Sequence, residues 1–91
     1  MRLVQAPRFR AAAKKLHPNQ KSALDEAVRA ILAAPDAAEA KTGDLAGIRV
    51  CKFRMVGQLT LLAYEIDVDS QTLTLLVFGP HENFYRDLKT H

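Results

Sequence analysis

A histidine and a phenol four residues apart, His81 and Tyr85, stand in the segment Gly79-Pro80-His81-Glu82-Asn83-Phe84-Tyr85-Arg86-Asp87-Leu88-Lys89. A helix beginning near Pro80 or His81 puts them on one face, with Glu82 and Arg86 forming a second such pair beside them. Histidine, whose unperturbed pKa is about 6.5, is suited to giving or taking a proton near neutral pH. A phenol, near 10, needs neighbouring positive charge before it can serve as a base. Lys52 and Arg54, two residues apart in an alternating run, can supply that charge and bind an anion. On the residues alone two bland alternatives stay open. The closing segment also reads as a docked tail that buries Phe84 and Leu88, and Lys52 and Arg54 also read as a solvated sheet face.

The elements that would position these groups follow from periodicity. Leu3 and Val4 can start an edge strand, which Ala6 and Pro7 end. From Pro7 the apolar residues Phe9, Ala12, Ala13 and Leu16 recur at three and four, while Arg8, Arg10, Lys14 and Lys15 take the other face. Pro18 opens a second helix, striped by Leu24, Ala27, Val28, Ile31 and Leu32 and closed by Pro35; His17 is read as a cap or surface residue. So tight a connection predicts a helical hairpin. Residues 36–47, directly after Pro35, carry Gly, Asp and Lys signals and read as a loop. The period then becomes two. Ile48, Val50, Lys52 and Arg54 share one face and Arg49, Cys51, Phe53 and Met55 the other, of which the second is the expected core face, burying Cys51 and Phe53. Turns at Gly57-Gln58 and Asp67 to Ser70 separate this strand from Leu59 to Ile66 and from Gln71 to Phe78. The predicted fold class is α+β, an N-terminal helical hairpin on a small antiparallel β-sheet with a short C-terminal helix.

Ninety-one residues support one domain, spanning 1–91, with a thin core. Thirteen Lys and Arg against ten Asp and Glu leave a formal charge of +3, a mild excess that permits a nucleic-acid or acidic-protein partner. The single cysteine, Cys51, excludes an intramolecular disulfide and reads as a small buried hydrophobe compatible with a reducing cytosol. There is no zinc-like grouping and no cofactor motif. Arginines interrupt the amino terminus, which lacks a signal-peptide core, and no stretch reaches membrane-spanning length. A cytoplasmic location is the expectation.

With these elements in place, the chain resembles the RelE/ParE toxins of bacterial type II toxin-antitoxin systems. The resemblance covers nearly the whole sequence: the helix pair ending Leu32-Ala33-Ala34-Pro35, the approach Lys41-Thr42-Gly43-Asp44-Leu45-Ala46-Gly47, the basic strand Arg49-Val50-Cys51-Lys52-Phe53-Arg54, the strand ending Leu61-Leu62-Ala63-Tyr64, and the closing segment Gly79 to Lys89. It implies one of two activities. RelE-like members are ribosome-dependent endoribonucleases that cleave mRNA in the A site on a sheet face lined by Lys and Arg; ParE-like members poison DNA gyrase. A non-toxic relative that keeps only antitoxin binding is a third reading. Lys52 and Arg54 match the basic strand of the RelE type, and His81 and Tyr85 match its carboxyl-terminal reactive positions. One departure is visible: where RelE commonly carries an arginine early in the next strand, this chain reads Thr60-Leu61-Leu62-Ala63-Tyr64.

The implied chemistry is metal-independent. A base takes the 2′-hydroxyl proton, an acid serves the departing 5′-oxygen, and cations surround the phosphorus. The residues expected to act are His81, Tyr85, Lys52 and Arg54, with Arg49 and Arg86 joining Lys52 and Arg54 in binding RNA. The implied partners are a cognate antitoxin encoded by an adjacent gene and, for the favoured nuclease reading, the ribosome and mRNA.

Overall fold

The change of hydrophobic period after Gly47 is realised as a change from helix to sheet in the computed structural model, which describes residues 1–89. The elements are β1 (Arg2–Gln5), α1 (Pro7–Lys14), α2 (Pro18–Ala33), β2 (Glu39–Ala40), a single 3-10 turn (Gly43–Leu45), β3 (Ile48–Met55), β4 (Gln58–Asp67), β5 (Thr72–Pro80) and α3 (His81–Lys89). Both N-terminal helices begin at proline, whose fixed φ suits a first turn where no amide partner is needed. His17 is the residue preceding α2, and its backbone N–H donates to the Gln20 side-chain oxygen at 2.9 Å, so the expected capping role holds.

The strands form one sheet in the order β1-β5-β4-β3-β2. β3, β4 and β5 make the expected antiparallel meander. β1 joins the outer edge of β5 in parallel, and two-residue β2 pairs antiparallel with Val50 and Arg49, so the whole sheet is mixed. The loop expected over 36–47 thus contains a short strand and one helical turn.

One face of the sheet carries α1 and α2, with α1 lying chiefly over β5 and α2 over β3. Phe9, Leu24 and Ile31 pack there on Met55, Leu62, Tyr64, Leu73 and Leu75. The opposite face carries α3, whose Phe84 and Leu88 close over Val50, Leu61, Ala63, Leu76 and Val77. β4 is therefore covered on both sides, which is why Thr60 to Tyr64 are buried without alternation. This second core corrects the expectation that only one face of β3 is apolar: Val50 is buried under the α3 side. Cys51 and Phe53 do face α1 and α2 as expected, but they are half-buried, because β3 runs toward an edge that β2 covers only at its start. Burial pushes the Cys51 thiol up from its ordinary value, as befits a packing residue.

A register shift between Ala63 and Tyr64 re-phases β5. Leu73 and Leu75 face the helix pair, whereas Leu76 and Val77 both belong to the α3 core. The extra residue sets which face the end of β5, and hence the start of α3, presents. No helix among the described residues is long and apolar enough to cross a membrane.

Candidate nucleic-acid interface

Directly opposed residues of paired strands share a face, so the register locates the candidate residues. Lys52 opposes Leu61, which opposes Gly79. All three lie on the α3 face, in one row across the sheet. With strands about 4.8 Å apart, the Lys52 and Gly79 backbones are separated by about 10 Å, and His81 follows two residues later at the start of α3. Arg54, opposite Leu59, is the next outward-facing residue of the same strand. The structure therefore puts Lys52 and Arg54 on one face with the helix that carries His81 and Tyr85. Lys52 is exposed and has no hydrogen bond or ion pair among the described residues. Arg54 is also exposed, but its Nη1 donates to the Gly57 carbonyl at 3.2 Å, which draws the guanidinium toward its own turn.

On α3, Phe84 and Leu88 point into the core and so set the helix rotation. His81 and Tyr85 then share one flank, their ring centroids 5.9 Å apart and nearly perpendicular. Tyr85 is half-buried and meets Phe84 edge-on at 5.1 Å, while His81 is exposed. Lys89, one further turn along, lies 3.9 Å from Asp44. The flank thus runs beside the 3-10 turn and the start of β3.

Two of the residues expected to bind RNA stand apart from Lys52 and Arg54. Arg49 opposes Tyr64 and so faces the α1 and α2 side, where its guanidinium bonds the carbonyls of Ala38 at 2.9 Å and Asp36 at 3.2 Å. It fastens the loop after α2 and stands across the sheet from Lys52. Arg86 lies on the outer side of α3, and its partner is Asn83 Oδ1 at 2.8 Å instead of Glu82. It borders the interface from outside.

Lys41 was missed. Its N–H donates to the Ile48 carbonyl at 2.9 Å, extending β2 by one residue, and this pairing puts its side chain on the α3 face. Its Nζ stands 5.3 Å from the Tyr85 ring centroid and 3.3 Å from Glu39 Oε2. The Tyr85 hydroxyl, helped by Glu39, holds the Lys41 ammonium above its ordinary value against a smaller opposing effect of burial. A two-residue strand is too short to show a period, so the sequence carried no signal for it. The assembled set is an exposed imidazole, a phenol beside an ammonium, and two further cations on an adjoining strand. Such a set can bind a phosphodiester and move protons at it. Among the described residues no three His, Cys, Asp or Glu side chains gather as a metal site.

Solved structures place the fold in a class. The fold is that of E. coli RelE in its complex with RelB (TM-score 0.72, 18% identity, 89% of this chain and 96% of that one). It is equally that of a double-mutant E. coli RelE in the free state (TM-score 0.75, 16% identity, 98% and 90%). The archaeal RelE of the RelE-RelB complex from Pyrococcus horikoshii shares it at TM-score 0.61, with 14% identity over 89% of this chain and 94% of that one. No curated protein sequence matches. The chain belongs to the family of ParE-like toxins of type II bacterial toxin-antitoxin systems, whose model matches residues 3–89.

Proposed function

We propose that this toxin is a ribosome-dependent mRNA endonuclease that cuts in the A site without a protein-bound metal and so inhibits translation. The observation that supports it is the shared sheet face, on which β3 presents Lys52 and Arg54 and α3 carries His81 and Tyr85. A protein that acts only by binding has no need of an imidazole and a phenol in edge contact beside cations. In this reading Lys52 and Arg54 hold the phosphate and stabilise the added charge of the transition state. His81 and Tyr85 divide the proton transfers, with Tyr85 drawing on the adjacent Lys41 ammonium. Cleavage leaves a 2′,3′-cyclic phosphate and a free 5′-hydroxyl.

The expected partners are the ribosome, mRNA and an antitoxin from a neighbouring gene. The RelE proteins sharing this fold occur in complexes with RelB, which supports the last of these. Mapping the mRNA ends produced on translating ribosomes tests the activity. If mRNA stays whole while DNA breaks appear that depend on gyrase, the toxin is a gyrase poison and His81 a contact residue.

A further inference from the structure

The basic strand of this toxin is short of charge. On the α3 face β4 sets Leu61 opposite Lys52 and Leu59 opposite Arg54, so it offers nothing to a phosphate. Arg54 is partly engaged by Gly57. That leaves Lys52 as the unengaged one of the two β3 cations on this face.

Lys41 stands on the same face at the other end of β3. Its backbone is pinned to Ile48. Its side chain is 21% exposed, and Nζ rests beside Tyr85, 5.3 Å from the ring centroid, and 3.3 Å from a Glu39 carboxylate that is itself 68% exposed. An exposed ion pair of this kind is worth little and gives way readily to a better anion. Ile48 and Lys52 are four residues apart, about 13 Å along the strand, so a cation at Lys41 meets a different stretch of a bound strand from that held by Lys52. We propose that Lys41 is an RNA phosphate-binding residue, supplying from β2 the cation that β4 lacks and placing it beside Tyr85. The inference rests on the nuclease reading for its biological meaning. The phosphate contact itself can be measured without cleavage.

The experiment is binding of a single-stranded RNA oligonucleotide, 2′-O-methylated to block cutting, to the full chain over a range of salt concentrations. Each phosphate contact on single-stranded RNA contributes about 0.7 to the slope of log K against log salt. Lys41→Met is expected to lower that slope by about 0.7, Lys41→Arg to restore it, and Lys21→Met, on the outer face of α2, to leave it at the wild-type value. A Lys41→Met slope equal to wild type overturns the proposal, as does failure of the wild type to bind the RNA. The two readings separate cleanly. If the slope falls but ribosomal mRNA stays whole, the nuclease reading fails and the phosphate contact stands; if mRNA is cut and the slope does not move, Lys41 alone is wrong.

Discussion

Tyr64 is wholly buried, and its hydroxyl donates to the Pro35 carbonyl at 2.5 Å, tying β4 to the end of α2. Burial is the main cause that raises its pKa from the ordinary 10.0, with smaller contributions from Cys51 and Asp36 and an opposing one from Arg49. The neutral phenol is thus the form that the fold favours. Stability from this source is complete below the unfolded value and is lost as pH climbs from about 10 toward the higher folded pKa. Cys51, also raised by burial, starts the same loss earlier, from about 9. Urea melts across this alkaline range should show stability falling, and Tyr64→Phe should flatten the upper part of the fall while costing about 1 kcal/mol at neutral pH for the lost hydrogen bond. A second residue-scale effect lies in the β3–β4 turn, where Val56 has φ 51 and Gly57 φ 83. Positive φ at both central positions is the geometry of the tight hairpin turn, which Asn-Gly fits and a β-branched residue does not. Val56 is 59% exposed, so nothing is lost by replacing it. Val56→Asn is expected to raise stability by roughly 1 kcal/mol, read as a higher urea midpoint.

At the scale of elements, α3 is the part on which the site depends. Nine residues are too few to hold a helix alone in water, so its order comes from docking through Phe84 and Leu88, each 1% exposed. Leu88→Ala should cost about 2–5 kcal/mol in urea melts. Amides of His81 to Lys89 should then exchange faster relative to those of β4 than they do in the wild type; equal acceleration throughout would show that α3 does not loosen separately. The helix pair and the β3–β5 meander were legible in the sequence because each is long enough to display its period, from Phe9 to Leu16, Leu24 to Leu32 and Ile48 to Phe78. The His81 and Tyr85 pairing was legible for the same reason, since one helical turn suffices to bring them together. Lys41 was not, because β2 is two residues long and its face is decided by pairing with β3. The second core was hidden too: Val50 alternates with Lys52, and only the docking of α3 explains why one is buried and the other exposed. Alternation already set Arg49 on the face opposite Lys52 and Arg54; its anchoring to the Ala38 and Asp36 carbonyls was not legible, because it depends on where the loop after α2 runs.

At the scale of the whole molecule, a formal charge of +3 is unevenly used. Arg10 and Lys14 line the exposed side of α1, on the helix-pair side of the sheet, whereas Arg8 Nη1 donates to the Asp87 carbonyl of α3. Lys41, Lys52 and Arg54 occupy the α3 face. An acidic antitoxin segment covering the latter face should associate in a salt-sensitive way, and Lys52→Ala with Arg54→Ala should weaken that dependence. Of the residues assigned to chemistry, His81, Lys52 and Arg54 are exposed, and only Tyr85 packs its ring against the α3 core. The central claim is tested most directly by mapping mRNA ends on translating ribosomes with wild type, His81→Ala, the Lys52→Ala and Arg54→Ala double variant, and Tyr85→Phe. The account predicts A-site cuts ending in a 2′,3′-cyclic phosphate for the wild type. It predicts rates lower by ~10²–10⁴ for His81→Ala, a comparable loss for the double variant, and a clear loss for Tyr85→Phe, all with wild-type unfolding midpoints. Intact mRNA on ribosomes carrying bound wild-type toxin, or cutting that survives both His81→Ala and the double variant, would contradict it.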